Sequence, residues 1–460
     1  MSGFRLPYRS AKRQDVDMTH GNIFRHIITF AIPLLLGNLF QQLYNMVDTW
    51  VLGNFASTDA YSAVGTVTPV CNMLIGFFLG LSAGAGVVIS QHYGAGQHDK
   101  VQQAVHTAIV MTLVLGVLFT ALGVAMTPYV LSLMNMASGM NKEATTYLRI
   151  YFSGIMGLMI YNVGSGILRA VGDSKRPFYF LVVCAVMNTL LDLLFVMKFN
   201  MGVAGVAIAT IISQFVSAIL VLITLARSNS CVKLSLNKLR IHWDILKKIV
   251  LVGIPAALQM AVTSFSNVFV QGYIVHFGKE CMGGWTTYSK VDQLLFLPMQ
   301  SVSLAATTFV GQNLGKGQAD RARQGIKVSL LVAIGATCIL MLPVVLFAPY
   351  IAVFFNKDPK VVEYSTLFLH WLTPFYVLCC VNQVFVGALR GAGNSRAPMF
   401  ITLSSFVLFR QLYLFVTSMI RNEILPIAMA YPAGWLLCSL LMVIYYYKVR
   451  LGKNSVVDTN

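Results

Sequence analysis

Asp48 and Asp192 are carboxylates set inside apolar runs of membrane length, and Asn188 stands four residues before the second of them in the stretch 186–195. A carboxylate at the bilayer centre costs at least ~2.5–3.5 kcal/mol, so its default meaning is an ion, proton or substrate path with a partner nearby. Four residues along a helix return to the same face, which sets the Asn188 amide beside Asp192. Asp48 precedes Gly53-Asn54 by about five residues and Asp192 precedes Lys198 by about six, so both reach a similar depth from the outer side. Two carboxylates at one depth in a poor dielectric favour sharing a proton, which makes one of them a natural proton carrier. With Asn and Thr oxygens added, the same cluster also suits a hard monovalent cation, so Na+ at Asp48 and Asp192 stands beside H+. The duller alternative is a hydrogen-bonded pair that glues helices together. The functional reading is preferred, because of the sixteen acidic residues nearly all fall in loops or at span ends, which leaves Asp48 and Asp192 as the clear interior ones.

Such a pair needs a membrane around it, and the composition supplies one. Of 460 residues 57% are hydrophobic and 11% charged, with a mean hydropathy of +0.71, which is more apolar surface than a soluble core could hide. Runs of about 20 apolar residues, each able to cross a ~30 Å hydrocarbon layer as a helix, are broken by short polar loops. Only helices satisfy their own backbone in such runs, so the expected class is an all-α polytopic membrane protein. Twelve spans are expected at about 24–52, 60–90, 103–127, 146–168, 177–197, 203–226, 246–275, 285–310, 327–349, 364–389, 398–420 and 425–447.

The net charge of +17 invites nucleic acid as a partner, but the bases sit in alternating loops rather than on one face, so topology is the better account. Bases gather at the N-terminus (Arg5, Arg9, Lys12, Arg13), around Lys100, at Arg169, Lys175 and Arg176, through Arg227–Lys248, from Lys316 to Lys327, at Arg390 and Arg396, and at Lys448, Arg450 and Lys453. All are cytoplasmic if both termini are inside, in a plasma membrane. Residues 1–23 read as a retained cytoplasmic segment without a cleavage signal. The eight cysteines include adjacent Cys379 and Cys380 but no Cys-x-x-Cys, so neither a metal site nor a disulfide framework is expected.

The chain then repeats itself at a spacing of about 221 residues. Ser90-Gln91-His92-Tyr93-Gly94-Ala95-Gly96 is echoed by Gly311-Gln312-Asn313-Leu314-Gly315-Lys316-Gly317, Leu168-Arg169-Ala170-Val171-Gly172-Asp173 by Leu389-Arg390-Gly391-Ala392-Gly393-Asn394, and Ile32-Pro33 by Ile254-Pro255. Two parallel six-helix lobes, 24–227 and 246–450, are expected around a central cavity, joined by a basic linker at 228–245 and followed by a tail at 451–460. The Gly-x-Gly turns read as tight helix reversals rather than phosphate cradles, since no strand precedes them, with Asp99 and Asp320 expected to cap the next helices. Pro33 and Pro255 are expected kinks and hinges. The second lobe has Val270 or Phe269, Phe409 and Tyr413 where the first has Asp48, Asn188 and Asp192.

Asn45, Asn267, Asp292, Gln383 and Arg410 are candidates for a substrate-lining wall. Asp292 stands near Trp285, Tyr288 and Lys290, which favours an outer-interface position, and Arg410 needs a partner that the sequence does not name. The interior bases reduce essentially to Arg410.

Twelve spans in two parallel repeats, the Val-Gly-Gln-Asn-Leu-Gly-x-Gly run at 310–317 and the Leu-Arg-x-x-Gly-[Asp/Asn]-Ser loops together resemble the multidrug and toxic compound extrusion (MATE) family over nearly the whole chain. The resemblance implies secondary active export of cationic or amphipathic compounds by alternating access, driven by inward H+ or Na+, with no further cofactor and with a monomer in the lipid bilayer. Its DinF-like branch implies a cation site on the first, fourth, fifth and sixth helices, which carries over to Asp48, Asn162, Asn188, Asp192 and Thr210. The other bacterial branch places acids on the seventh and tenth helices, and Leu251–Val275 and Tyr364–Leu389 hold none in their interiors. A related lipid-linked precursor flippase is the alternative, set aside here because it calls for a strongly basic cavity. A membrane-embedded enzyme would need a convergent nucleophile and base, which the scattered histidines do not supply.

Overall fold

The computed structural model describes residues 15–133, 138–449, 451–452 and 455–457, so the expectations for Arg5, Arg9, Lys12, Arg13, Arg450 and Lys453 lie outside the described residues. Among the described residues eleven helices are long and apolar enough to cross a membrane, and a bent pair taken as one span makes a twelfth. In chain order they are α1 (Ile23–Phe55), α2 (Ala60–Gly94), α3 (His98–Ser132), α4 (Met140–Ser153 and Ile155–Ala170, bent by 45°), α5 (Lys175–Lys198), α6 (Gly202–Ala226), α7 (Trp243–Val275), α8 (Lys279–Gly315), α9 (Ala319–Leu346), α10 (Pro359–Gly391), α11 (Arg396–Ile420) and α12 (Ile424–Lys448). Several overrun their expected lengths, because polar first turns such as Lys279–Glu280 extend a helix beyond its apolar stretch. Large apolar side chains of α3, α9 and α11, among them Val117, Leu331, Ile339, Leu408 and Leu412, point outward, as a lipid-facing belt requires.

The helix reversals are built alike in both repeats. Gly96 and Gly317 adopt φ of 71° and 77°, the left-handed conformation that closes a helix end. The bonds Gln97 N to His92 O (3.0 Å) and Gln318 N to Asn313 O (2.8 Å) then satisfy the last carbonyls. Asp99 and Asp320 sit within the first turns of α3 and α9 rather than at the caps, which corrects the capping expectation. The capping carboxylate is instead Asp173, whose Oδ1 accepts from Lys175 N (3.1 Å) and Arg176 N (3.2 Å), with Asn394 taking Ala397 N (3.3 Å) in the second repeat. Burial pushes the Asp173 carboxyl above its ordinary value, against the pull of those amides and of Arg176.

Two helices are exchanged between the lobes. The first half of α1 (Ile27, Phe30, Ala31, Leu34) packs in the large C-lobe cluster with Trp285, Phe368 and Tyr376, whereas its second half (Val51, Leu52) packs with Val196, Val203 and Val206 of α5 and α6. α7 mirrors this, with Ile245, Ile249 and Val252 in the N-lobe cluster and Val270 and Ile274 in the C-lobe one. Each helix runs unbroken through its proline, so Pro33 and Pro255 interrupt a backbone bond without ending the helix.

Both terminal segments lie at one end of the bundle, here termed the basic end. Val16 N bonds Val171 O (3.0 Å), Met18 N bonds Gln312 Oε1 (2.9 Å), and Val456 N bonds Gln91 Oε1 (2.6 Å). The lobes also touch there at close range. A Cβ at Gly94 would overlap the Gln312 carbonyl, and one at Gly315 would overlap that of Gln91. Toward the opposite, far end, a Cβ at Gly65 of α2 or Gly272 of α7 would meet nothing within 4 Å. Between these ends a Cβ at Gly84 or Gly80 of α2 would overlap the backbone of α7, and one at Gly76 would stand 3.4 Å from Met260, so the lobes close at the basic end and part toward the far end.

Candidate functional site

Between the lobes lies a cavity of about 480 Å³, a size that suits a small organic molecule. Its two halves are made by equivalent bonds: Ser82 Oγ donates to Asn162 O (2.8 Å), and Ser303 Oγ donates to Gln383 O (2.6 Å). The floor is equally symmetric. Gln91 Nε2 reaches Gly391 O (2.8 Å) of the opposite lobe, and Gln312 Nε2 reaches Ala170 O (2.9 Å).

Asp48 and Asp192 come together behind the N-lobe wall of this cavity, their carboxyls close enough to act on each other directly. Apart from their contact with each other, Asp48 Oδ1, both Asp192 oxygens and Asn188 Oδ1 are buried with no hydrogen-bond donor among the described residues. No ion pair among the described residues includes either carboxylate. Asn188 Nδ2 faces Thr210 Oγ1 at 3.5 Å while that hydroxyl donates to Val206 O (2.9 Å), so the amide is turned with its oxygen free. Four buried acceptors without a protein donor suit a proton or a hard cation. A π-helical turn, Leu193–Lys198, begins directly after Asp192, an irregularity that recurs at functional sites. Tyr44 and Cys184 lie within electrostatic range of Asp48 and also line the cavity, so only one layer of side chains separates carboxylates from cargo space.

The remaining candidates divide. Asn162 lines the cavity and commits its Nδ2 to Leu158 O (2.9 Å) of its own helix, rather than turning it to the carboxylate pair. Asn267 and Gln383 line the cavity, whereas Asn45, Asp292 and Arg410 are not among the lining residues. Asn45 is exposed on the outer face of α1. Arg410 finds the partners the sequence left unnamed: its Nη2 donates to Ser266 Oγ (2.8 Å) and Asn267 Oδ1 (2.9 Å), over the Tyr431 ring at 4.9 Å. Asp292 is not at an interface either. It accepts the hydroxyl of Tyr376, itself 3.0 Å from that of Tyr288, inside an aromatic core with Trp285 and Trp435. The neighbouring Trp and Tyr that suggested an interface belong to that core.

Sequence reasoning missed two arginines. Arg169 and Arg390 line the cavity at its floor, so the expectation that interior bases reduce to Arg410 is corrected, and no Asp or Glu is among the lining residues. Their sequence context, one arginine before a glycine turn at a helix end, has the same look as a topology-setting charge. Being related by the repeat spacing was the signal that they hold equivalent places in the two lobes.

Two parallel six-helix lobes, a central cavity and carboxylates buried beside it define a polytopic membrane transporter. Comparison with known proteins agrees. The MatE family model matches residues 33–194 and again 255–416, one match per repeat, and the chain belongs to this family of transporters rather than to any enzyme class. It is 31% identical to the probable multidrug resistance protein NorM of Thermotoga maritima, over 83% of each chain. To the probable multidrug resistance protein YpnP of Bacillus subtilis it is 28% identical over 86% of this chain and 88% of that one. A solved outward-facing multidrug resistance MATE family transporter superposes with a TM-score of 0.89 at 22% identity, covering 94% of this chain and 97% of that one. With the cavity basic, this family match carries the case against a flippase, and cavity charge no longer does.

Proposed function

We propose that the protein exports amphipathic small molecules by alternating access, coupled to inward H+ or Na+ at the Asp48/Asp192 site of the DinF-like type. The basic end is cytoplasmic, which places both termini inside and turns the open mouth outward. The observation that carries the reading is the set of four buried acceptors on Asp48, Asn188 and Asp192 that meet no donor among the described residues, one side-chain layer behind the cavity. A proton or Na+ entering from outside meets these oxygens and favours α1 drawn onto α5. Because the other half of α1 is packed in the C-lobe, that shift is transmitted between lobes across Pro33. Cargo in the cavity favours the opposite arrangement, so each ligand displaces the other, as coupling requires. Related transporters carrying multidrug resistance names support export as the direction.

The test is transport in proteoliposomes under separately imposed proton and sodium gradients. Asp48→Asn and Asp192→Asn should each abolish gradient-driven movement while the protein stays folded. Transport that survives both substitutions would overturn the assignment.

A further inference from the structure

We infer that the central cavity recognises amphipathic organic anions, with Arg169 and Arg390 as the cationic groups, one from each lobe, that attract the anionic head. The inference builds on the transport reading in taking the bound species as cargo. Among the described residues the lining carries two arginines and no carboxylate. None of the ion pairs among the described residues involves either one, and no carboxylate lies within electrostatic range of either guanidinium. Arg390 is 5% exposed, gives one 3.3 Å bond to Gln259 Oε1 and leaves its Nε buried without a partner. Burying a guanidinium without a counter-charge is costly, and a visiting anion removes that cost.

The placement is specific. The carbonyls next to the two arginines, Ala170 O and Gly391 O, are the ones held by Gln312 and Gln91 from the opposite lobe. An anion held by either guanidinium therefore sits close to the seam where the lobes must part, and carboxylate or phosphate matches such a fork in two-point geometry. Ile75, Leu79, Leu158, Leu297 and Phe406 offer the apolar wall for the rest of the molecule. The head group can belong to a free organic acid or to a lipid-borne phosphate.

The test is equilibrium binding to the full chain in phosphatidylcholine nanodiscs, by titration calorimetry. The probes share one apolar body: 2-naphthylacetate, 2-naphthylethanol and 2-naphthylethylammonium, with lauroyl lysophosphatidate and lysophosphatidylcholine as the lipid arm. The anion should bind about tenfold or more tightly than its neutral analogue, and Arg169→Gln or Arg390→Gln should bring the ratio close to one. Preference confined to lysophosphatidate and lost in both variants supports the site with a lipid-borne source. If a Gln variant does not fold, Arg→Lys at the same position should cut the preference several-fold, because the fork is lost while the charge stays. Tightest binding of the ammonium probe, or an anion preference unchanged in the variants, overturns the inference. No gradient is needed for binding, so loss of coupled transport with the anion preference intact strikes only the coupling reading, and the reverse result strikes only this one.

Discussion

Among the described residues three carboxylates are buried in the helices, and their surroundings assign them different work. Asp48 and Asp192 face each other with bare oxygens, whereas Asp292 receives a tyrosine hydroxyl inside the C-lobe core. Asp292→Asn should therefore lower thermal stability by an amount typical of a buried charge-assisted hydrogen bond, about 1.5–3 kcal/mol, and leave the cation dependence of transport where it was. A thermal melt in nanodiscs and a cation titration of transport check the two halves. Thr210→Val is expected to do the reverse. It takes away the hydroxyl that orients Asn188, so half-saturation by the coupling cation should rise several-fold with little change in melting temperature. The sequence made Asp48 and Asp192 legible because a charge in an apolar run is an outlier. It could not settle Asp292, since Trp285 and Tyr288 have the same composition in an aromatic core as at a membrane surface.

At the scale of elements, the basic end is a seam stitched from both lobes and both termini. Gln91 and Gln312 each donate across the seam and each accept from a terminal segment, Val456 for the former and Met18 for the latter. Gln91→Ala together with Gln312→Ala would strip Gly391 O and Ala170 O of their donors, at about 1–3 kcal/mol for each buried group left bare. The closed seam should open more often, read as faster hydrogen exchange at residues 91–97 and 312–318. Next to Met18, the Asp17 carboxyl is raised by partial burial but drawn down further by Thr19 N (2.8 Å) and Oγ1 (2.6 Å), with Lys316 and His20 beyond, and ends below its ordinary 3.8. A depressed carboxylate contributes stability above its unfolded value and loses it as pH falls through the folded one. Exchange protection at residues 16–20 should accordingly hold down to pH about 4 and fall below it. The repeated glycine turns, which set this geometry, were readable from the chain. The exchange of α1 and α7 between lobes was not, because a hydrophobic period tells which face of a helix is buried but not against which neighbour.

For the whole molecule, the contacts divide into a basic end where backbones touch and a far end where they do not. Gly94 against Gln312 and Gly315 against Gln91 leave no room for a side chain, so the state closed at the basic end depends on those glycines. Gly94→Val or Gly315→Val should exclude that state while sparing each lobe, whose clusters contain neither position. The protein would then populate the arrangement open at the basic end. Cys184 reports which, because it lines the cavity and lies beside Asp48. In an otherwise cysteine-free chain, a membrane-impermeant maleimide should reach Cys184 from the far side in the parent and from the basic side in the valine variants. A shift of a factor of ten in the balance needs only about 1.4 kcal/mol, far less than a backbone overlap imposes. Labelling from the far side that is unchanged in both variants would mean that the lobes do not rock about this seam, and the two ligands would then need another route by which to displace each other.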